Sequence, residues 1–270
     1  MHTKRGELLM QTTEEMQSGD GRRGRLRIFF GFAAGVGKTY GMLTEAHELL
    51  MMGKHVVVGY IEPHDRPDTN RLLEGLPQIP PKNIFYKQMV LTEPDIDQII
   101  QQKPEIVLID ELAHSNAEGS RNRKRYQDID ELLNAGIDVF TTVNVQHIES
   151  LNDIVEEVTG IEVKETVPDT FLRQATIRVI DVEPDELIER LEQGKIYANE
   201  NAKRALKNFF IPQKLDQLRG LAIQRASDHI NRISGKTIGI QSKLLTVVND
   251  AFPKMTEKCI RWTARLAQGL

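Results

Sequence analysis

The chain has 270 residues, 40% of them hydrophobic and 27% charged, the proportions of a folded domain with a substantial core and room for a smaller second piece. A formal charge of -4 argues against nonspecific duplex binding, which draws on excess lysine and arginine, and 6% aromatic residues argue against a stacking platform for single strands. The lone cysteine, Cys259, excludes an intrachain disulfide and a multi-cysteine metal site and fits a reducing compartment, while no apolar run approaches the about 20 residues needed to cross a bilayer.

In chain order, residues 1–24 are largely charged or polar, lack the apolar centre of a secretory signal, and are expected to form a mobile arm. From Arg25 onward, apolar β-rich runs alternate with helical patterns, the rhythm of a parallel sheet with crossover helices. The expected strands are 26–31, 55–61, 105–110, 137–142 and 176–182, and their near-continuous apolar character suits strands covered on both faces. Helices are expected over 38–52, closed by Gly53, over 95–102, stopped by Pro104, over 123–135, closed by Gly136, and over 146–159, ending before Gly160. Three more helices follow at 183–193, 198–209 and 212–233, the last with an apolar stripe of Leu215, Leu218, Ala222, Ala226 and Ile230. Residues 233–242 read as a linker, and 243–270 as a strand and helix that begin a second α/β unit.

The stretch FFGFAAGVGKTYGML (29–43) follows a strand and opens a helix, the setting of a glycine-rich phosphate-binding loop. Inward amides around Gly35, Val36 and Gly37 form an anion nest, the helix N-terminus adds partial positive charge, and Lys38 reaches terminal phosphates. The Thr39 hydroxyl suits magnesium. The entrance is irregular: Phe32 stands where the usual pattern has its first glycine, and Gly31 lies one residue earlier.

A short glycine-lysine-threonine string is common, and EIVLIDE supplies the second feature: apolar strand residues end in Asp110 and Glu111 at the sheet edge where the loop opens. Asp110 would hold magnesium through water, and Glu111 would polarise an attacking water. Beyond the fourth strand, Asn144 either reaches a terminal phosphate or its water, if that strand lies between the loop strand and the Asp110 strand, or caps the following helix. His64, His114 and His147 also follow strand ends, without zinc-ligand spacing. Arg121, Arg123 and Arg125, just past the Asp110 loop, read either as an arginine finger or as a solvated helix start.

Together, FGFAAGVGKTYGML, VVVGYIEPHDRPDT, IVLIDELAHSNAEGSRNRKRYQDIDELL, AGIDVFTTVNVQHIESLND and FFIPQKLDQLRGLAIQRASDHI resemble the N-terminal cytoplasmic region of the KdpD family of potassium-responsive sensor histidine kinases. The resemblance spans about 25–232 and includes the shifted glycine; Asp65 departs from the glycine expected there. It implies a P-loop NTPase-like α/β fold with a mostly parallel sheet flanked by helices, C-terminal helices, and from 243 the start of a universal-stress-protein-like unit. It also implies ATP and Mg2+ as ligands, a sensor kinase core or response-regulator system as partner, and a cytoplasmic location. Transmembrane helices and the kinase core come later in full-length members, so the expectation is a regulatory nucleotide-binding module with at most slow ATPase activity. The alternative is a stand-alone ATPase or small-molecule phosphotransferase; oligomeric state is left open, and no nucleic-acid partner is expected.

Overall fold

The computed structural model describes residues 22–62, 67–87, 89–194, 196, 209–233, 258 and 260–263. Its centre is a five-stranded parallel sheet in the order β2-β5-β6-β1-β7. The strands are β1 (Leu26–Gly31), β2 (Val56–Tyr60), β5 (Ile106–Ile109), β6 (Asp138–Asn144) and β7 (Thr176–Val179). Each coincides with an expected strand to within a few residues, and the α/β class with a parallel sheet flanked by helices is consistent with a P-loop-like fold.

Alternation along the strands builds two cores. Ile28 and Phe30 point into one with Val107, Ile109, Val139 and Val143, whereas Phe29 points into the other with Met42, Leu43, Val56, Val58, Leu108 and Phe140. Helix α1 (Lys38–Met51) covers the second face through Met42, Leu43 and Ala46. The first face is covered by α4 (Arg125–Asn134), α5 (Asn152–Thr159), α7 (Pro184–Glu192) and α8 (Pro212–Ile233).

The differences from expectation have local causes. The helix expected from Arg123 begins at Arg125 because Lys124 is extended and bridges Ser115. The helix expected over 146–159 is two short 3-10 turns followed by α5, since Ile148 is extended and bridges Val167. An antiparallel hairpin of β3 (Lys82–Tyr86) and β4 (Met89–Glu93) was not foreseen, and its turn carries Lys87 at φ 42 rather than the glycine or asparagine that signals such turns. On α8, Leu215, Leu218, Ala222 and Ala226 are buried, but Ile230 is 55% exposed and His229 takes the inward position. Short helices α2 (Pro67–Arg71), α3 (Ile96–Gln102) and α6 (Asp169–Leu172) complete the domain, with Asp95 capping α3 through the Gln98 amide. Residues 1–21 of the arm expected over 1–24, 198–208 of the helix expected over 198–209, most of the linker and the strand of the second unit lie outside the described residues, and Phe209 lies in a turn.

Candidate functional site

The glycine loop leaves the carboxyl end of β1 and enters α1 at Lys38. Phe32 and Ala33 turn back into the core, so the position usually held by glycine is an apolar anchor. Gly31 meets the loop instead: a Cβ there would lie 2.6 Å from Val36 Cγ2, so only glycine lets strand and loop close on each other. Gly35 adopts φ 85 and would place a Cβ 2.2 Å from Ile196 Cδ1. Gly37, at φ 103, precedes the first helical turn with no side-chain cap on that turn. The result is a left-handed loop over the open N-terminus of a 14-residue helix, a geometry suited to an anion. The Lys38 ammonium donates to the Ala33 carbonyl at 3.0 Å and so lies over this loop.

Strand order brings the second motif to the first. β6 lies between β1 and β5, so the carboxyl ends of all three strands open side by side. The Thr39 hydroxyl donates to Asp110 Oδ2 at 3.1 Å, the Thr142 hydroxyl donates to Asp110 Oδ1, and the Glu111 amide donates to the same oxygen at 3.1 Å. Asp110 is 2% exposed, and burial pushes its carboxyl above the ordinary value against the hydrogen bonds from Thr142 and Thr39 and the charge of Lys38. Hard oxygens from a hydroxyl and a carboxylate at this distance are the donors magnesium prefers. Glu111 itself sits at φ 57, a left-handed turn that follows the buried acid. Asn144 pairs in register with Gly31, and its Oδ1 is buried without a partner among the described residues, an acceptor available to a water.

Two clefts flank the loop and share Gly35, Lys38 and Thr39. One, of about 320 Å³, is lined by Asp110, Glu111, His114, Asn144, His147 and Glu165. The other, of about 590 Å³, lies beside Tyr40, Arg71, Leu72, Ile180, Arg190 and Ile196. In the smaller cleft, burial pushes the His147 imidazole down, which favours its neutral form. Its Nδ1 faces the Glu165 carbonyl at 2.8 Å and therefore carries the proton, leaving Nε2 as a lone-pair acceptor 3.4 Å from Gln146 Nε2.

The arginine cluster is dispersed. Arg125 is fully buried: it donates to Glu93 Oε2 at 2.7 Å, to the Asp110 carbonyl at 3.0 Å and to Asn116 Oδ1 at 3.3 Å, and lies over the Tyr60 ring. It is a buried strut behind the Asp110 turn, already committed to these acceptors. Arg121 pairs with Asp97 and Glu131 at the surface, and Arg123 is exposed; neither lines the two clefts. His64 lies outside the described residues. Sequence reasoning missed Thr142 and Arg190. Arg190 reaches the loop across 155 residues of chain, a distance over which no local pattern carries a signal.

Residues 22–230 match the family described as KdpD: Osmosensitive K+ channel His kinase sensor domain. The chain is similar to proteins titled Sensor protein KdpD from Clostridium acetobutylicum, 57% identical over 77% of this chain and 23% of the relative, and from Escherichia coli, 52% identical over 77% and 24%. A third, from Mycobacterium tuberculosis, is 47% identical over 77% of this chain and 24% of its own length. The chain thus spans about a quarter of the length of these curated relatives, 23% to 24%. Among the described residues, no helix is long and apolar enough to cross a membrane.

Proposed function

The chain belongs to the KdpD sensor-domain family, and on that premise we propose that it is the ATP-binding regulatory module of a potassium- or osmotic-stress-responsive sensor histidine kinase. The observation that carries this reading is the Thr39 to Asp110 contact, which joins the loop and the buried acid into one oxygen-rich corner. In this reading Gly31 shapes the loop entrance, the amides from Gly35 to Thr39 and the Lys38 ammonium hold the phosphates, and Thr39 and Asp110 hold Mg2+. Asn144 and Glu111 face the terminal phosphate and its water from the smaller cleft.

Regulation follows if ATP binds one conformation of the domain more tightly than another and so shifts the population presented to the partner. That partner is a sensor kinase core and its response regulator on the cytoplasmic side of a membrane. A second reading, hydrolysis or phosphoryl transfer to a small acceptor, draws on the smaller cleft, where the neutral His147 Nε2 and Glu111 are proton acceptors beside Asp110.

The test is calorimetric titration of magnesium-ATP into wild type and Lys38→Ala, with phosphate release followed on the same samples. Binding by wild type that is lost in Lys38→Ala, with slow release, is the expected result. Rapid or acceptor-dependent release would replace the regulatory reading with the enzymatic one, and a folded wild type that binds no nucleotide would overturn both.

A further inference from the structure

We propose that Arg190 of α7 is a ligand of the inner phosphates of the bound nucleotide, and that through it occupancy of the loop is passed to α7 and α8. This rests on the nucleotide reading above and names how the same site reports its state. Magnesium and the terminal phosphate belong with Asp110 and Glu111 in the smaller cleft, so the inner phosphates, ribose and base extend into the larger one. That cleft has apolar walls in Ile180, Ile196 and Leu72 for a base, and Arg71 and Arg190 for anionic groups.

Arg190 is poised at the loop itself. Its Nη1 donates to the Gly35 carbonyl at 3.2 Å and lies 4.0 Å from where a Cβ on Gly37 would stand, and its Nη2 pairs with Glu186 one turn earlier. A neutral carbonyl is the weaker acceptor: a phosphate adds its own negative charge and can accept two parallel N–H bonds from one guanidinium. A phosphate would therefore compete with the Gly35 carbonyl for Nη1, while Nη2 keeps its pair with Glu186.

The consequence reaches beyond the loop because α7 is tied at both ends. Just past it, Ile196 packs on Gly35. At its start, Asp181 and Glu183 are gripped by the Arg219 guanidinium of α8 through contacts of 2.6 to 3.1 Å. Between them, Leu187 and Leu191 are buried in the core that α8 also lines. These contacts make a continuous packed and ion-paired path from the loop to α7 and α8, along which the proposed coupling would run.

The experiment titrates ADP and ATP, each with magnesium, into wild type and Arg190→Gln, and follows backbone hydrogen exchange with and without ADP. The expected result is an affinity loss of about ten- to hundredfold, equal for the two nucleotides. Exchange is expected to slow on ADP addition over 38–51 in both proteins, but over 184–192 in wild type alone. Wild-type affinity in the variant, or a loss confined to ATP, overturns the contact. No slowing over 184–192 in wild type overturns the coupling. A wild type that binds neither nucleotide overturns the functional reading as well, so the two failures are told apart by the wild-type titration.

Discussion

The Thr39 hydroxyl and the Asp110 carboxylate, 71 residues apart in the chain, meet at 3.1 Å: Thr39 opens α1 beyond the end of β1, Asp110 follows β5, and only β6 lies between those two strands. The acid at this meeting point is buried and its pKa is raised, chiefly by burial. A raised carboxyl pKa means that the folded state binds the proton more tightly than the unfolded chain. Wild type therefore gains stability as pH falls through the folded pKa and loses it as pH rises. Asp110→Asn removes the buried charge while keeping an acceptor for Thr142 and the Glu111 amide. At neutral pH and without ligand it is expected to raise unfolding free energy by about 1 kcal/mol, with the gain shrinking toward acid. The same substitution is expected to abolish magnesium-dependent nucleotide binding. Denaturant titrations at several pH values check the first outcome, and a destabilised Asp110→Asn at neutral pH would refute it.

Phe32 gives the second prediction. The usual loop pattern would favour glycine there, but Phe32 is 1% exposed and packs in the core under the sheet. Phe32→Gly should cost about 4 kcal/mol, the scale of emptying a buried aromatic site. It should bring no gain in nucleotide affinity, because the amides that would bind phosphate begin beyond it at Gly35. Thermal melts paired with calorimetry distinguish this from a defective loop: improved affinity in Phe32→Gly would show that the shifted glycine is a handicap.

Arg125 and Arg121 should behave oppositely. Arg125→Met takes from the buried Glu93 carboxylate its guanidinium partner, leaving it only His114 and the Ala117 amide, and should cost about 3–5 kcal/mol, whereas adding Glu93→Gln should recover part of that loss. Arg121→Ala removes an exposed arrangement and should shift stability by about 0.5 kcal/mol or less. Chemical denaturation of wild type, of Arg125→Met, Glu93→Gln and Arg121→Ala, and of the Arg125→Met/Glu93→Gln double variant is sufficient. Additive costs in the double variant would mean that Arg125 stabilises the fold by some route other than Glu93.

These contrasts show what was legible in the chain. Strands such as 26–31 and 105–110 announce themselves through local apolar runs, and the loop and Asp110 are read from residues adjacent in sequence. Asn144 depended on strand order, a nonlocal property that no single segment encodes. Arg125 was indistinguishable from its neighbours in RNRKRYQD because burial is decided by Glu93, Tyr60 and Asn116 from other segments. Arg190 was hidden for the same reason. The hairpin was missed because its turn uses Lys87 in a left-handed conformation, without the glycine that would have marked it.

Glu93 and His114 form a proton-linked pair behind the site. Glu93 is buried, yet contacts from His114, the Ala117 amide and Arg125 together hold its carboxyl below the ordinary value. His114, 3.5 Å away, has its imidazole raised by that carboxylate against the pull of burial and Arg125. A depressed acid contributes stability that is present above its unfolded value, near 4.5, and lost as pH falls through the folded value. A raised histidine contributes stability that is complete below its unfolded value, near 6.5, and lost as pH rises through the folded value. Both contributions overlap in mildly acidic solution. The stability difference between wild type and His114→Gln should accordingly be greatest there, about 1 kcal/mol, and should narrow at alkaline pH. A difference that stayed constant from acid to alkaline pH would mean that His114 contributes through packing alone. The cleft it lines would then have no proton-linked tie to the hairpin that ends in Glu93.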